Sequence, residues 1–243
     1  MLKRKPGANR MAKLDYYGHA TFGLTTDDGT RIVIDPFFAD NPWTEVDPAD
    51  VEADFIFCTH GHFDHFADAI AIAKTTGATL VGTFELVEYA QSQGVENAHP
   101  MHIGGGWDFP FGRVKMTIAV HGGRVYGEGA EGFTSNPAGL LFDLGPGKRL
   151  HHAGDTALTM DMQLLKGKVD VAILPIGDNF TMGPEDAAIA VDFIEPSVVI
   201  PIHYGTWPYI EQDPERFRAL VDARVGDRAK VEILERGTGS YEF

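Results

Sequence analysis

The chain has 243 residues, 44% of them hydrophobic and 23% charged, which suffices for one large globular domain or two small ones with a proper core. Its 35 acidic against 20 basic residues give a net charge of −15, which repels nucleic acid and anionic membrane unless a local basic patch offsets it. The one cysteine, Cys58, excludes an intrachain disulfide and fits a reducing, cytoplasmic compartment; lying in an apolar run, it reads as a buried inert thiol rather than a nucleophile.

Residues 1–11 carry Lys3, Arg4, Lys5 and Arg10 but no apolar stretch, so they are not a secretory signal. They are expected to form a flexible tail, or an extension ahead of a second start at Met11. Residues 12–243 read as a single domain, since no low-complexity stretch divides them. No run of 18 apolar residues predicts a transmembrane helix. Strands are expected at 14–17 and 21–26, joined by Gly18-His19, then at 31–34 after the turn signal Asp27-Asp28-Gly29. A surface loop follows at 39–53, then a buried strand at 55–58. Helical spacing predicts 66–76, ended by Gly77, and 83–93, ended by Gly94, with a short strand at 79–81 between them. Strands are expected at 101–103, 107–109 and 114–120, and a hairpin at 138–144 and 148–152. Helices at 158–165, 184–194 and 214–225 alternate with strands at 169–175 and 198–202, and strands at 231–235 and 239–243 close the chain. Residues 122–139 are glycine-rich and include a literal G-x-G-x-x-G from Gly127 to Gly132. With no helix predicted after it, and with Glu128 and Glu131 inside it, this is not a dinucleotide loop; a mobile loop beside the site is expected. Strands first and last with strand–helix alternation between them imply two mixed sheets with helices outside.

The chemistry concentrates in His60-Gly61-His62-Phe63-Asp64-His65, directly after the strand at 55–58. Imidazole and carboxylate donors at this spacing suit Zn²⁺ and similar divalent ions far better than a loose histidine cluster does. His121, Asp155 and His203 each stand just beyond an apolar strand, as His60 does, and strand ends along one sheet edge converge. His152 ends the strand before Gly154-Asp155. His99, His102 and His151 lack such placement and read as structural or exposed.

At this point the chain resembles the metallo-β-lactamase superfamily, which carries H-x-H-x-D-H followed by His, Asp and His at distant strand ends. More narrowly it is similar to the bacterial and archaeal metal-dependent hydrolases related to L-ascorbate-6-phosphate lactonase. That similarity rests on Gly18-His19-Ala20, Ile34-Asp35-Pro36, His152-Ala153-Gly154-Asp155-Thr156, Leu174-Pro175-Ile176-Gly177, Met182-Gly183-Pro184 and Pro201-Ile202-His203-Tyr204. The resemblance implies an α/β fold, a four-layer αββα sandwich of two mixed sheets, with two divalent ions, Zn²⁺ or Mn²⁺, at its upper edge. It implies that His60, His62 and His121 hold the first metal, that Asp64, His65 and His203 hold the second, and that Asp155 bridges them. Where the resembled pattern often has Ser after the middle histidine, this chain has Gly122. Two metals roughly 3.5–4 Å apart activate a bridging hydroxide and polarise the scissile oxygen. Asp64 would orient that hydroxide or serve purely as a ligand. His62, where a Glu would resemble the di-iron redox branch, favours hydrolysis. His19 and Asp35 are candidates to orient ligands or substrate, His152 to orient a ligand or act as general acid, and Asp178, Thr181, Tyr204 and Trp207 to line the pocket.

The expected function is therefore a binuclear metal-dependent hydrolase of a small ester or lactone. The alternative is a phosphodiesterase acting on a small phosphodiester or nucleic acid, and the −15 charge weighs against a long nucleic-acid substrate. A non-enzymatic metal-binding or ligand-sensing module is the third reading. The expected partner is a small molecule, with neither nucleic acid nor membrane; homo-oligomerisation is left open.

Overall fold

The computed structural model describes residues 11–243. The tail expected at 1–11 therefore lies, apart from Met11, outside the described residues. Strand β1 (Lys13–Gly18) alternates half-buried and buried side chains, placing Leu14 and Tyr16 inward. It forms an antiparallel meander with β2 (Thr21–Thr25) and β3 (Arg31–Ile34). Parallel strands β4 (Phe55–Phe57), β5 (Thr79–Thr83) and β6 (Ala98–Met101) extend that sheet. Their crossovers carry helices α1 (Phe63–Phe66), α2 (Ala69–Thr76) and α3 (Phe84–Ser92).

The second sheet starts as antiparallel β7 (Gly106–Phe109), β8 (Gly112–Ile118), β9 (Ala138–Asp143) and β10 (Arg149–His152). It continues in parallel through β11 (Val171–Pro175), β12 (Val198–Ile202) and β13 (Lys230–Val231), with α4 (Pro184–Ile194) and α5 (Pro214–Val225) in the crossovers. β11 and β12 are apolar and buried throughout, as strands covered on both faces must be. The last strand, β14 (Ser240–Glu242), returns to pair with β1.

Each sheet has seven strands, ordered β14-β1-β2-β3-β4-β5-β6 and β13-β12-β11-β10-β9-β8-β7. Their inner faces share one apolar layer that includes Tyr16, Phe22, Phe57, Leu140, Phe142, Ile173 and Ile200. Two further apolar clusters seal the helices to the outer faces: Ile56, Leu80, Ile72 and Leu86 on one side, Ala172, Leu174, Val191 and Phe217 on the other. The result is the four-layer αββα sandwich.

Several expected boundaries move. The helix expected at 66–76 begins at Ala69, as α2, with Phe66 ending the short α1 and Ala67-Asp68 forming a turn between them. The Asp68 carboxylate, at the N-cap position of α2, accepts the backbone N–H groups of Phe38 (2.6 Å) and Ala39 (3.2 Å) rather than those of the helix. The segment at 158–165 is a 3₁₀ turn, Met160–Leu165. Of the strand expected at 231–235 only Val231 pairs, as the second residue of β13, and β6 begins three residues before its expected start. β8 stops at Ile118, so His121 stands on a loop rather than directly at a strand end. That loop is tied to the one after β10: Val120 N–H donates to Thr156 Oγ1 (3.0 Å), and Ala157 N–H to the Val120 carbonyl (3.1 Å).

His151, expected to be structural or exposed, is buried on the outer face of β10 beside a cavity of about 500 Å³ under the Met160–Leu165 turn. Its Nε2 meets Thr117 Oγ1 at 3.1 Å. Burial, and then the neighbouring His152, lowers its pKa from 6.5 to about 3. The ring is neutral in the fold but takes up a proton in the unfolded chain below pH 6.5. The stability it contributes is thus fully present above that pH and is lost as pH falls towards 3. On lowering the pH from 7 to 5, the protein is expected to lose about 2 kcal/mol that a His151→Leu variant does not lose. Urea melts of both proteins at the two pH values measure the difference; equal losses would refute it.

Candidate metal centre

The parallel register of β3 and β4 sets Asp35 beside Cys58 and Thr59 at the sheet edge, with Asp35 N–H donating to the Phe57 carbonyl (2.9 Å). Asp35 is wholly buried. Its Oδ1 accepts Thr59 N–H (2.7 Å), and its Oδ2 accepts the Thr59 hydroxyl (2.7 Å) and His65 Nδ1 (2.8 Å). With Nδ1–H committed to Asp35, His65 presents Nε2 to the centre, the arrangement by which a carboxylate fixes a ligand's tautomer. Asp35 thus anchors the start of the motif and aims its last histidine. Gly61 lets the motif turn tightly: a Cβ there would lie 2.7 Å from Val125 Cγ2, and its N–H donates to Ser135 Oγ (2.9 Å). The glycine-rich stretch at 122–139 therefore lies beside the site, and irregular chain leading into β9, rather than a helix, follows its G-x-G-x-x-G.

The donors converge in two groups. His60, His62 and His121 bring ring nitrogens within 4.8 Å of one another, and a carboxylate oxygen of Asp64 lies equally close to ring nitrogens of His65, His203 and His19, themselves as close to one another. His60, His65 and Asp155 form a third set that joins the two. Asp155 Oδ2 is 3.0 Å from His203 Nε2 and 3.4 Å from His121 Nε2, and Oδ1 is 3.4 Å from His65 Nε2. All seven residues read from the sequence as ligands are thus brought together, and Asp155 lies between the groups.

His19 joins the sheets at this edge. Its carbonyl accepts His203 N–H (2.9 Å), Nε2 meets Asp64 Oδ2 at 2.9 Å and Nδ1 meets Thr206 Oγ1 at 2.8 Å. Burial, and then His203, lowers its pKa to about 4, so the ring is neutral at pH 7 and carries one proton. Asp64 can only accept; that proton sits on Nε2, and Nδ1 accepts from Thr206. His19, Asp35 and His203 hold left-handed backbone conformations, with φ of 55°, 48° and 56°, as does Asp178 at 60°.

Burial disfavours ionisation of Asp155, but His203 and His65 outweigh it and hold the carboxyl well below the usual range. Asp64 is lowered likewise, burial again being overcome by His65 and His19. Burial also opposes charge on His65 and His203, yet Asp155 chiefly raises the first well above 6.5 and the second to about 9. His60, by contrast, is driven well below 6.5 by burial and by His65. Without metal the centre is a set of carboxylates neutralised by protons on His65 and His203, which a metal ion would displace. His60 Nε2, His65 Nε2, Asp155 Oδ1 and both ring nitrogens of His203 are buried without a hydrogen-bond partner among the described residues. Buried polar atoms are normally satisfied, so the orphaned His60 Nε2, His65 Nε2, Asp155 Oδ1 and His203 Nε2, gathered within the donor sets, fit divalent metal.

Other sequence expectations do not hold here. His152 is fully buried between the sheets, its ring against Phe22, with Nε2 3.1 Å from the Ala20 carbonyl and Nδ1 accepting Gly154 N–H. With both nitrogens engaged by backbone, it is no general acid; it locks the turn that presents Asp155. Tyr204 is buried under α4 and α5, and Asp178 is exposed at the turn after β11, where its N–H donates to the Met182 carbonyl. Neither lines the site. Thr181 closes the same turn. Trp207 does line it, and the sequence reading missed its companions. A cleft of about 480 Å³ opens over His62, Asp64, His121, Asp155 and His203, walled by Phe63, Tyr126, Phe180, Trp207 and Tyr209. Their shared signal in the sequence is an aromatic a few residues beyond a ligand or a strand end.

This ligand set at the edge of an αββα sandwich defines the metallo-β-lactamase superfamily, and the chain belongs to it: the model of the Beta-lactamase superfamily domain matches residues 30–204. Within it, the chain is one of the UPF0173 metal-dependent hydrolases. The relative of that name from Heliobacterium modesticaldum is 49% identical over 218 residues, covering 87% of this chain and 90% of its own length. One from Shouchella clausii is 50% identical over 227 residues, covering 92% and 98%. Among solved structures, the metallo hydrolase Igni18 from Ignicoccus hospitalis matches with a TM-score of 0.81 at 33% identity, over 96% of this chain and 99% of that one. The isothiocyanate hydrolase from Delia radicum gut bacteria shares the fold, with a TM-score of 0.73 at 20% identity over 95% and 99%.

Proposed function

We propose that the chain is a binuclear hydrolase that cleaves a small ester or lactone, holding one divalent ion on His60, His62 and His121, a second on Asp64, His65 and His203, and both on Asp155. The observation that carries this reading is the convergence of seven metal-donor residues in two groups bridged by Asp155, four of them, His60, His65, Asp155 and His203, with buried donor atoms lacking a hydrogen-bond partner among the described residues. Zn²⁺ or Mn²⁺ bound there would supply an activated water and polarise the scissile carbonyl. The chain's own residues prepare that chemistry. Asp35 fixes the tautomer of His65, and His19 holds Asp64 while Thr206 holds His19. The surrounding aromatic walls offer apolar surface that a bound substrate would cover, displacing water from around the reacting bond.

No Lys or Arg lines the cleft among the described residues, which supports an ester or lactone over a phosphodiester and a small molecule over nucleic acid. No helix of the described residues is long and apolar enough to cross a membrane, and the lone buried thiol accords with a cytoplasmic protein.

The test is the initial rate on δ-valerolactone and on bis(p-nitrophenyl) phosphate, measured with the purified protein, with added Zn²⁺ or Mn²⁺, and after chelation. Chelator-sensitive lactone turnover exceeding diester turnover is expected. The reverse preference would move the protein to the phosphodiesterase reading.

A further inference from the structure

Six aromatic side chains stand largely exposed among the described residues, and four of them, Phe63, Tyr126, Phe180 and Tyr209, ring this one cleft. Aromatic surface left in water forgoes the stabilisation that burial would give, so the gathering of these rings at one mouth calls for an apolar occupant. They arrive from separate segments. Phe63 lies inside the ligand motif, Tyr126 follows β8, Phe180 follows β11, and Trp207 and Tyr209 follow β12.

The rings are also braced. Half-buried Trp207 packs on His19 (centroids 4.9 Å apart), on Phe37 (6.2 Å) and on Phe63 (5.8 Å), and Phe63 meets Tyr126 at 6.3 Å. Tyr126 in turn stands 6.2 Å from the ring of His62. A flat group laid against Trp207 or Tyr126 therefore sits directly beside the ligand cluster, on a platform whose lower side is already fixed. The charge of the walls is just as informative. Their only ionisable groups besides histidines and tyrosines are the carboxylates Asp64 and Asp155, and Arg124 is taken up over the Tyr126 ring, 5.2 Å from its centroid, rather than lining the cleft. A phosphate or carboxylate carried on the substrate away from the scissile bond would find no cation there.

From this we infer the substrate class: an uncharged ester or lactone bearing a flat apolar group, aromatic or similarly planar, stacked on Trp207 and Tyr126 with Phe180 and Tyr209 at the rim. The inference rests on the hydrolase reading above and narrows it.

The test uses three lactones with the metal-loaded full chain: isochroman-3-one, δ-valerolactone and phosphorylated gluconolactone, each rate corrected for its hydroxide-catalysed background. The benzo-fused lactone is expected to exceed the bare one at least tenfold in kcat/KM, and the phosphorylated one to fall below both. The Trp207→Ala variant, and a Phe180→Ala/Tyr209→Ala variant at the exposed rim in case the first does not fold, should bring the fused-to-bare ratio close to one. A second readout needs no turnover. Isochroman, the unreactive cyclic ether, should bind the wild-type protein by calorimetry and bind the variants at least tenfold more weakly. Preference for the bare or phosphorylated lactone, or absence of isochroman binding, would overturn the inference. So would dissociation of a dimer by the rim variant, which would make the ring an interface between copies. Failure of the hydrolase reading itself looks different: chelator-insensitive or absent turnover on all three lactones, with isochroman binding still reporting on the cleft.

Discussion

Replacing Asp155 with Ala is expected to remove metal-dependent turnover, lowering kcat/KM by about a thousandfold or more. The carboxylate is the one group within 3.4 Å of imidazoles from both halves of the centre, so its loss affects both ions together. It also removes the anion that most strongly favours protons, or a metal, on His65 and His203. Metal analysis after dialysis should show the bound content falling from two ions per chain to one or fewer. A ligand that binds only the folded state at a thousand times its Kd stabilises by about 4 kcal/mol, so the thermal shift on adding Zn²⁺ should shrink correspondingly. Asp155→Asn keeps the shape but not the charge, and should retain the fold while failing in the same two assays. A variant that keeps both ions and its turnover would remove Asp155 from the centre.

Asp35→Ala should be the most destabilising single change near the site, costing about 3–5 kcal/mol. Three donors converge on this buried carboxylate, and Ala would leave Thr59 N–H, the Thr59 hydroxyl and His65 Nδ1 without it. For a chain of this size that corresponds to a fall in Tm of about 10 °C or more. The functional effect is separable from the stability effect. With Nδ1 released, His65 can turn or take the other tautomer, and metal affinity should fall by about 10–100-fold even well below Tm. Asp35→Asn should recover part of the stability but not the affinity, because its amide NH₂ opposes a donor. Denaturant melts and a metal titration with a competing chelator report the two quantities independently. Unchanged metal affinity in Asp35→Asn would reduce Asp35 to a structural brace.

The convergence of the candidate metal donors was legible in the sequence because each follows an apolar, β-rich run, and the ends of such strands gather along one edge of the sheets. His121 is the looser case, held three residues beyond β8 by the backbone bonds of Val120 to the neighbouring loop. His152 was misread because nearness in sequence to Asp155 says nothing about which face of β10 it occupies. Leu150 lies in the layer between the sheets, and period-two alternation puts His152 on that same inner face. The later start of α2 could not be recognised, because the N–H groups that the Asp68 carboxylate accepts at its N-cap position lie about 30 positions away in the chain. The aromatic walls beyond Trp207 were harder to read for a similar reason: the rings come from separate segments, each only an aromatic a few residues past a donor or a strand end, and only the packing of those segments makes them a surface.

Four of the left-handed backbone positions, His19, Asp35, Asp178 and His203, belong to the turns along the edge that carries the site. Glycine occupies such conformations without penalty, whereas other residues hold them at a cost that the surrounding structure must absorb. At three of these turns the side chain is a ligand or braces one, so relaxing the backbone and keeping the chemistry are opposing demands on the same residue. Selection for thermal robustness alone would drift these positions towards glycine and yield a sturdier sandwich that no longer gathers metal. A lineage that lost its substrate would be expected to decay there first, well before its core. Stabilising changes for engineering belong at the outer helices instead, where nothing in the centre depends on the backbone.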